Sequence, residues 1–515
     1  MTSRSRIRLM STTALLLCGS LACSAGPTGG IVAGGSATIS SPSPTTLIIN
    51  QTSQNAIINW NSFNIGTGET VKFIQPNSSS ISLDRVTGVG VSTINGTLTA
   101  NGNVFLINPY GVLIGPGGVI NTAGFVATTS NIKNSDFMAG RHNFGIAGRP
   151  DASVVNLGRI TAANSGFAAL VAPGVRNSGT ITANLGTVAL ASGNTFTLDL
   201  YGDKLIQLGD SIANKVIDVS TGKPLSSLVS NDGAMKANGG RIQLTAAAAR
   251  QVVDSVINNT GVLEANTVGT RAGKIVLGAA TAASKPKGAP TQTVRLSGTV
   301  TASGKSKGST GGTVRVTGEK IVVAAANVDV SGDADGGKVL LGGDWGGGKP
   351  TLGLVKNSSA QLESYSIPTA TTVSVDAATT INASATGTGN GGKVIVWSDA
   401  STAFAGTILA GGGALSGTGG FVETSSKGQL NFAGQVDTKA PHGTAGTLLL
   451  DPADYFIVAP GVTVPVGASS ITPATLQTQL ASNSVVISTE TRPILSGSTG
   501  IFSSMRQSAG TRAIR

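Results

Sequence analysis

The residues of this chain that could do chemistry are few and scattered. Only 24 of the 515 residues are Asp or Glu, and the only two histidines, His142 and His442, are far apart in the sequence. Glycoside hydrolysis needs two carboxyl groups about 5 to 9.5 Å apart, and no persuasive cluster of acids predicts such a pair. Either histidine is interpreted as a surface or turn residue. We therefore predict no catalytic residue and no enzyme.

Two motifs match metal or nucleophile sites in residue types and spacing but lack the residues or elements that such sites need. Asp333 and Asp335 stand before Gly336 like the start of a calcium loop, but no glutamate closes the loop. Residues 304–308 spell G-x-S-x-G, yet they lie in a Gly/Ser/Lys-rich stretch without the strand and helix that flank a nucleophile. Both motifs are interpreted as turns, and no metal is predicted.

Two further motifs resemble nucleotide sites. Gly387, Gly389 and Gly392 spell G-x-G-x-x-G, but a strand-like run follows them where a dinucleotide site needs a helix. Residues 343–350 nearly spell a phosphate loop, but Pro350 stands where Ser or Thr must bind magnesium. The sequence therefore predicts no cofactor.

The composition predicts many short strands with tight turns. Charged residues make up 11% of the chain, against about 25% in ordinary globular proteins. Glycine accounts for 72 residues while 40% of the chain is apolar, which argues against a disordered chain. No run of about 18 apolar residues predicts a transmembrane anchor.

A short β-rich unit recurs along the chain, usually after a pair of small residues. The pair and the strand-like run that follows it occupy residues 239–244, 272–277, 311–316, 336–341, 391–396 and 445–450. A second unit, Asn or Ser followed by a Gly-led strand, interleaves with it at residues 156–162, 177–183 and 297–302. One such unit cannot bury its own apolar face, whereas stacked units can. The fold predicted is all-β: a right-handed parallel β-helix, capped at its N-terminus and interrupted by short loop excursions.

Glycine and asparagine are assigned to the corners of the coils. Glycine is expected to supply backbone angles with φ above zero, and asparagine to form hydrogen-bonded ladders from coil to coil. Residues 198–231 are predicted to leave the helix as a polar excursion. The alanine-rich residues 246–257 are predicted to form either a short helix or another coil.

The first residues resemble a secretory signal peptide. Arg4, Arg6 and Arg8 precede a short apolar stretch, and small residues follow up to Ala25, where cleavage is expected. Lipidation at Cys23 is the alternative interpretation. Both cysteines lie in this segment, so the mature chain would contain none. This suits a route through a pore in the unfolded state, and chance in an organism that uses little cysteine is the alternative explanation.

The net charge of +11 is not a nucleic-acid signal. Part of it belongs to the signal peptide and part to the C-terminal tail, and no dense basic patch interleaved with aromatic residues is present. From residue 492 the repeat pattern stops, and we interpret 492–515 as a tail produced by a frameshift or early stop. Weak attraction to anionic glycans or membranes stays open.

Specific runs in the N-terminal half resemble the secretion domain of two-partner secretion exoproteins. These runs occupy residues 48–66, 69–77 and 101–115, and weaker similarity continues through residues 198–202 and 448–455. The resemblance is to the filamentous-haemagglutinin and high-molecular-weight adhesin branches. One departure stands at Asn108-Pro109-Tyr110-Gly111, where the family usually has Asn-Pro-Asn-Gly.

The resemblance implies export through the periplasm to an outer-membrane β-barrel transporter with periplasmic binding domains. It implies recognition by that transporter at residues that include Asn50, Gln51 and the turn Asn108, Pro109, Tyr110 and Gly111. The domains expected are a signal peptide (1–25), a secretion domain (26–270), a β-helical stalk (271–491) and the tail (492–515).

The predicted function is a secreted or cell-surface adhesin that binds an unidentified host or bacterial receptor or glycan and no nucleic acid. The first alternative is the export segment of a truncated haemolysin or contact-dependent inhibition toxin. The second is a polysaccharide-active β-helix enzyme.

Overall fold

The structure is a computed structural model that describes residues 26–199, 206–251, 253–349 and 359–489, with the backbone of 512–514. Ala25, Cys18, Cys23 and most of the tail lie outside the described residues. Short strands dominate, as the β-rich units predict. In the N-terminal half the strands are β1 (Ile31–Gly34), β2 (Ala37–Ser43), β3 (Thr46–Gln51), β4 (Asn55–Trp60), β5 (Thr70–Ile74), β6 (Ile81–Val86), β7 (Ser92–Ile94), β8 (Thr97–Ala100), β9 (Asn103–Ile107), β10 (Val112–Ile114), β11 (Val119–Thr128), β12 (Asn143–Phe144), β13 (Ser153–Asn156), β14 (Arg159–Ala172), β15 (Gly174–Asn177), β16 (Thr180–Thr182), β17 (Thr187–Ser192), β18 (Phe196–Leu198), β19 (Ile206–Leu208), β20 (Ser227–Asn231), β21 (Ala234–Lys236) and β22 (Arg241–Ala246).

The same pattern continues through the C-terminal half. Its strands are β23 (Ser255–Asn259), β24 (Val262–Glu264), β25 (Lys274–Gly278), β26 (Thr293–Thr301), β27 (Thr313–Thr317), β28 (Lys320–Asp329), β29 (Lys338–Leu341), β30 (Thr372–Val375), β31 (Thr380–Asn382), β32 (Lys393–Ser398), β33 (Ser401–Phe404), β34 (Thr407–Leu409), β35 (Phe421–Ser426), β36 (Gln429–Phe432), β37 (Gln435–Asp437), β38 (Thr447–Leu450), β39 (Tyr455–Ile457), β40 (Ser469–Ile471), β41 (Ser484–Ile487) and β42 (Arg512–Ile514). The helices are α1 (Asn134–Met138) and α2 (Pro473–Leu480), with a 3₁₀ turn at Trp345–Gly348.

Parallel pairing stacks these strands into three sheets. Sheet A contains β4, β6, β9, β11, β14, β17, β22, β25, β27, β29, β32, β35, β38 and β41. Sheet B contains β7, β10, β13, β15, β20, β23, β26, β28, β30, β33, β36 and β40. Sheet C contains β3, β5, β8, β11, β14, β16, β21, β24, β26, β28, β31, β34 and β37. The chain visits B, C and A in turn, so each circuit is one coil of a parallel β-helix, as predicted.

One apolar core runs along the inside of the coils. In sheet C the central residue of each strand lies over its counterpart in the next coil, as Ile160 lies over Ile181 and Ile181 over Met235. These side chains are fully buried. Because successive side chains of a strand point to opposite faces, the flanking residues of each strand face outward. A single coil could not bury its inward side chains, and the stack therefore supplies the stability.

The close approach of neighbouring coils explains most of the glycines that precede strands of sheet A. A Cβ on Gly312 would overlap the carbonyl oxygen of Gly273 in the coil below, and the same holds for Gly392 over Gly337. Neither Gly312 nor Gly392 has a positive φ. The expectation that these corners need φ above zero is therefore wrong here, although it holds at Gly239 (φ 68°).

An asparagine ladder forms between sheets B and C, as the turn residues predict. Its members, in order along the stack, are Asn156, Asn177, Asn231 and Asn259. The side-chain N–H of each of the first three donates to the side-chain oxygen of the asparagine in the next coil, at 2.7, 2.7 and 2.8 Å. All four side chains are buried. Because buried amides that lack partners are costly, the ladder holds consecutive coils in register.

An antiparallel cap closes the N-terminal end. Strand β1 pairs with β4 of sheet A, and β2 pairs with β3 of sheet C, both antiparallel. At the other end, α2 begins after Thr472, whose side chain accepts a hydrogen bond from the backbone N–H of Thr475 at 3.2 Å. Residues 247–251, 253 and 254, between β22 and β23, are irregular, so the helix considered for the alanine-rich segment does not form in this described part of it.

Two excursions cover the outer face of sheet A. The first contains α1 and an antiparallel sheet of β12, β18 and β19, and its aromatic residues Phe137, Phe144 and Phe196 pack on outward side chains such as Phe105. The second follows β29 and places Trp345 against Phe421, with ring centroids 5.3 Å apart. In the described ranges no helix is long and apolar enough to cross a membrane.

Candidate functional site

The runs 48–66 and 69–77, and the first half of the run 101–115, lie in the first coils, which we define as β3 to β9 (residues 46–107). Trp60 and Phe63 lie inside these coils, 1% and 0% exposed, with their rings edge to face at 5.6 Å. Aromatic contacts of this kind add stabilisation beyond the buried area. Trp60 and Phe63 are therefore core residues and not a surface platform for sugars.

Gln51, the last residue of β3, is a buried part of the corner between sheets C and A. Its side-chain N–H groups donate to the carbonyl oxygens of Ser53 at 2.8 Å and of Gln54 at 3.1 Å. Its side-chain oxygen accepts from Nε2 of Gln75, one coil further on, at 3.1 Å. Only 3% of Gln51 is exposed. In the folded protein this side chain organises the corner.

The corner network continues into the third coil through residues that the site prediction did not include. The backbone N–H of Gln75 donates to Oδ1 of Asn101 at 2.8 Å, and Nδ2 of Asn101 donates back to the carbonyl of Gln75 at 2.8 Å. Nδ2 of Asn103 reaches the carbonyl of Ser80 at 3.0 Å. The repeated Gln or Asn at the end of β3 and directly after β5 and β8 is the sequence signal that could have identified this network.

Asn50 differs from its neighbour because it is exposed. It pairs with Ile74 of β5 on one side and with Thr38 of the cap on the other. Its side chain is thus the accessible member of the Asn50-Gln51 pair. Recognition of Asn50 by a transporter stays a prediction.

The segment Asn108–Gly111 forms a tight turn at the corner between sheets A and B. Oδ1 of Asn108 accepts from the backbone N–H of Tyr110 at 2.9 Å, and its carbonyl accepts from Gly111 at 3.0 Å. Nδ2 of Asn108 donates to Oγ of Ser92 at 2.9 Å. Gly111 has φ 112°, where a side chain would be strained. The turn survives the departure from the family pattern.

Tyr110, the residue that departs from that pattern, is partly exposed. The guanidinium of Arg149 lies 5.2 Å from the centre of its ring, within the range of a cation–π contact. The backbone N–H of Arg149 also donates to the carbonyl of Pro109 at 3.2 Å. Pro109 and Tyr110 therefore lie under the loop that carries Arg149.

The two predicted recognition motifs occupy different corners of the helix. Gln51 precedes sheet A, whereas Asn108 follows sheet A and precedes sheet B. No hydrogen bond connects the two motifs in the described part of the chain. A partner that binds both motifs must extend across one side of the folded coils or bind the chain before it folds.

Asn108 is predicted to be a stability residue. Replacing Asn108 by alanine removes three side-chain hydrogen bonds and leaves the carbonyl of Gly90 without one donor. We expect a loss of about 2 to 3 kcal/mol in the free energy of unfolding. Urea titration followed by tryptophan fluorescence measures this loss. Asn50→Ala is the control, with an expected change within about 0.5 kcal/mol, and equal losses for the two variants would contradict the assignment.

The motifs rejected as active sites are parts of turns and strands. Oδ2 of Asp333 accepts from the backbone N–H of Gly308 at 2.6 Å, and Oδ1 of Asp335 accepts from Asn390 at 2.7 Å, so both acids connect neighbouring coils. Gly392 leads directly into β32, a strand. Among the described residues, no group of three or more His, Cys, Asp and Glu side chains is arranged to hold a metal.

Neither histidine has the surroundings of a catalytic base. His142 is buried between Phe105 and Phe137, with centroid distances of 5.7 and 6.2 Å, and this burial lowers its pKa. His442 is exposed at a turn between Pro441 and Gly443. The interpretation as a turn residue fits His442, whereas His142 belongs to the aromatic cluster under the first excursion.

Residues 25–291 match the family model described as the TPS secretion domain. In structure the chain is similar to the HMW1 secretion domain from Haemophilus influenzae, with a TM-score of 0.64 and 32% identity, covering 83% of this chain and 100% of that one.

Two relatives are named heme/hemopexin-binding proteins, both from Haemophilus influenzae. One is 35% identical over 239 residues (45% of this chain and 25% of the relative), and the other is 32% identical over 269 residues (48% and 27%). The chain thus spans about a quarter of the length of these relatives. Neither is named as an enzyme.

The family match extends over more than half of the chain, and it includes the capped first coils and both predicted recognition motifs. The resemblance seen in residues 48–66, 69–77 and 101–115 is thereby confirmed. The chain belongs to the TPS, or two-partner secretion, secretion domain family.

Proposed function

We propose that the N-terminal coils are an export signal for an outer-membrane β-barrel transporter with periplasmic binding domains. The observation that carries this proposal is the family match over residues 25–291, which ends well before the β-helix does. The coils beyond it form a continuous stack on the same axis. The stack suits a stalk that is exported behind the signal and remains at the cell surface or in the medium.

The absence of cysteine from residues 26–515 supports this route. Disulfides form readily in the periplasm, and a crosslinked chain could not pass a narrow barrel. Outside the cell, each coil that folds offers its edge strands to the next coil, because stability in such a stack arises between neighbours. Folding outside would therefore oppose backward movement through the barrel.

Export is tested in the bacterium that encodes the protein, with an epitope tag inside the exposed loop at Gly461. The full chain should be found on the surface and in the medium, and removal of residues 26–291 should leave the tag inside the cell. Deleting each gene for a two-partner outer-membrane transporter in turn should identify the one on which export depends. Unchanged export in all of these strains contradicts the proposal.

Adhesion is the role we propose for the exported protein. The outer faces of sheets B and C carry rows of small polar side chains in coil-to-coil register, such as Thr161 beside Thr182 and Ser230 beside Asn258. A long, regular and sparsely charged surface suits many weak contacts with a glycan or receptor. Strains with and without the gene are compared for attachment to epithelial cells, and equal attachment contradicts the adhesin role.

Haem or haemopexin capture is the second candidate, because both relatives carry that name. Haem iron is held by His, Cys, Met or Tyr side chains. In the described residues His142 is enclosed by phenylalanines, and Met235 is fully buried in the core. His442, Met138 and Tyr365 are exposed, so these side chains are accessible to a haem iron. An unchanged absorption spectrum of haemin in the presence of purified protein contradicts haem capture, and a pull-down with purified haemopexin tests the protein ligand.

A further inference from the structure

A carboxyl group lies inside the first coils. Asp84 of β6 is paired with Ile58 of β4 on one side and with Leu106 of β9 on the other, and both of these residues belong to the inner core. Asp84 points to the same side of its strand as Val86, which also belongs to that core. The side chain of Asp84 is 0% exposed.

The hydrogen-bond partners of Asp84 are neutral. Nε1 of Trp60 donates to Oδ1 at 2.9 Å, and the hydroxyl of Ser82 donates to Oδ2 at 2.8 Å. An asparagine at this position could accept from Trp60 and donate to the hydroxyl oxygen of Ser82. The hydrogen bonds alone therefore do not require an acid.

Among the residues that the structure describes, no opposite charge faces Asp84 from the elements packed around it. Strands β1, β2, β3, β4, β7, β8 and β9 contain no charged residue. Lys72 of β5 is exposed, and Glu69 before it accepts from the backbone N–H of Gly66 at 2.7 Å. Arg85 points to the other face, where its guanidinium donates to Asn131 and to the carbonyl of Ile132 at 2.8 and 2.9 Å. A buried charge without a partner is strongly unfavourable.

We propose that Asp84 is a built-in weakening element of the secretion domain. Its unpaired charge inside the first coils lowers their stability at neutral pH, and this keeps the newly synthesised chain open long enough to enter the transporter. The inference rests on the proposed export function. Outside the cell, the coils stacked on top supply the stability that the first coils lack.

The pH dependence has a definite sign. Burial raises the pKa of Asp84 from 3.8 to about 7, so the folded coils bind a proton more tightly than the unfolded chain does. Protonation of Asp84 therefore stabilises the folded coils. This stabilisation is complete below the unfolded pKa of 3.8, and it is lost as the pH rises through the folded pKa of about 7. The first coils should therefore be most stable in acid and weakest above neutral pH.

The first experiment measures unfolding of the purified full chain against Asp84→Asn. Urea titrations at pH 5 and pH 8 are followed by tryptophan fluorescence and by limited proteolysis of the first coils. Between these pH values, the stability advantage of Asp84→Asn should grow by roughly ten- to a hundredfold in the unfolding equilibrium constant. The exposed Asp254→Asn is the matched control and should show no such growth.

The second experiment measures export of the same variants. Asp84→Asn should leave several-fold less protein outside the cell and more in the periplasm, and adding the core substitution Ile58→Val should restore export by destabilising the coils again. Normal export of Asp84→Asn overturns the proposal. If Asp84→Asn does not fold, the test is made on the wild-type protein alone. Equal stability of its first coils at pH 5 and pH 8 then overturns the proposal. If the wild-type protein is exported equally well from strains that lack each transporter gene, the proposed export function is wrong, whereas the pH dependence of stability is unaffected.

Discussion

Replacing Gly312 by alanine is expected to destabilise the β-helix by about 3 kcal/mol or more, because there is no space for the added methyl group. A Cβ at this position would overlap the carbonyl oxygen of Gly273 and would lie 3.0 Å from the Cβ of Ala302. That carbonyl also accepts the backbone N–H of Thr313 at 3.0 Å. The coils cannot move apart here without losing a hydrogen bond of sheet A.

The control for this substitution lies in the strand that pairs with β27. A Cβ on Gly278 of β25 would meet nothing closer than the hydroxyl oxygens of Thr245 and Thr317, each 3.7 Å away. Gly278→Ala should be neutral or slightly stabilising, since glycine inside a strand costs about 0.5 to 1 kcal/mol relative to alanine.

Urea unfolding and the temperature of first proteolytic cleavage measure both variants. The damage from Gly312→Ala should begin between β25 and β29, because coils interact only with their neighbours. Cleavage sites mapped by mass spectrometry would show this. Equal stability of the two variants would refute the close-approach explanation for the glycine pairs.

The same glycines show which features of the fold can be predicted from the sequence and which cannot. The strand-like run within residues 311–316 is enough to predict a strand with one apolar face, and recurrence of the unit is enough to predict stacking. The reason for the glycine was missed, because overlap with Gly273 depends on which residue of another coil lies beneath it. Spacing along the chain does not reveal that distance.

The N-terminal site could be predicted only in part, because contacts between coils are again not visible in the spacing of residues along the chain. The contact between Trp60 and Asp84 is identified only by the register of β4 on β6. Burial of Gln51 likewise follows from hydrogen bonds to the next coil. The aromatic residues of the first excursion, such as Phe144, stand outside the repeat and carry no periodic signal.

A buried ion pair holds the second excursion against sheet A. Nζ of Lys393 donates to Oδ1 of Asp344 at 2.6 Å and to the carbonyl of Gln361 at 2.6 Å. The side chains of Lys393 and Asp344 are only 2% and 4% exposed. Asp344 also accepts the backbone N–H of Glu363 at 2.7 Å. One lysine therefore joins the strand to two points of the excursion.

Removing only the cation should be costly. In Lys393→Met the carboxylate of Asp344 stays buried without its counter-charge, and we expect a loss of about 3 to 5 kcal/mol in the stability of this region. Lys338 is a close control, because it is the register partner of Lys393 in the neighbouring strand and also pairs with an acid, Glu363, at 2.7 Å. Its side chain is 46% exposed, so Lys338→Met should cost less than about 1 kcal/mol.

The double variant Lys393→Met with Asp344→Asn separates the loss of attraction from the burial of a lone charge. It should recover much of the stability, since replacing both charges leaves no uncompensated ion in the apolar surroundings of Trp345 and Trp397. Hydrogen exchange of the backbone N–H groups of Glu363 and Gly346 reports on the excursion directly. If the single variant Lys393→Met leaves that exchange unchanged while the double variant accelerates it, the ion pair is not what holds the excursion in place.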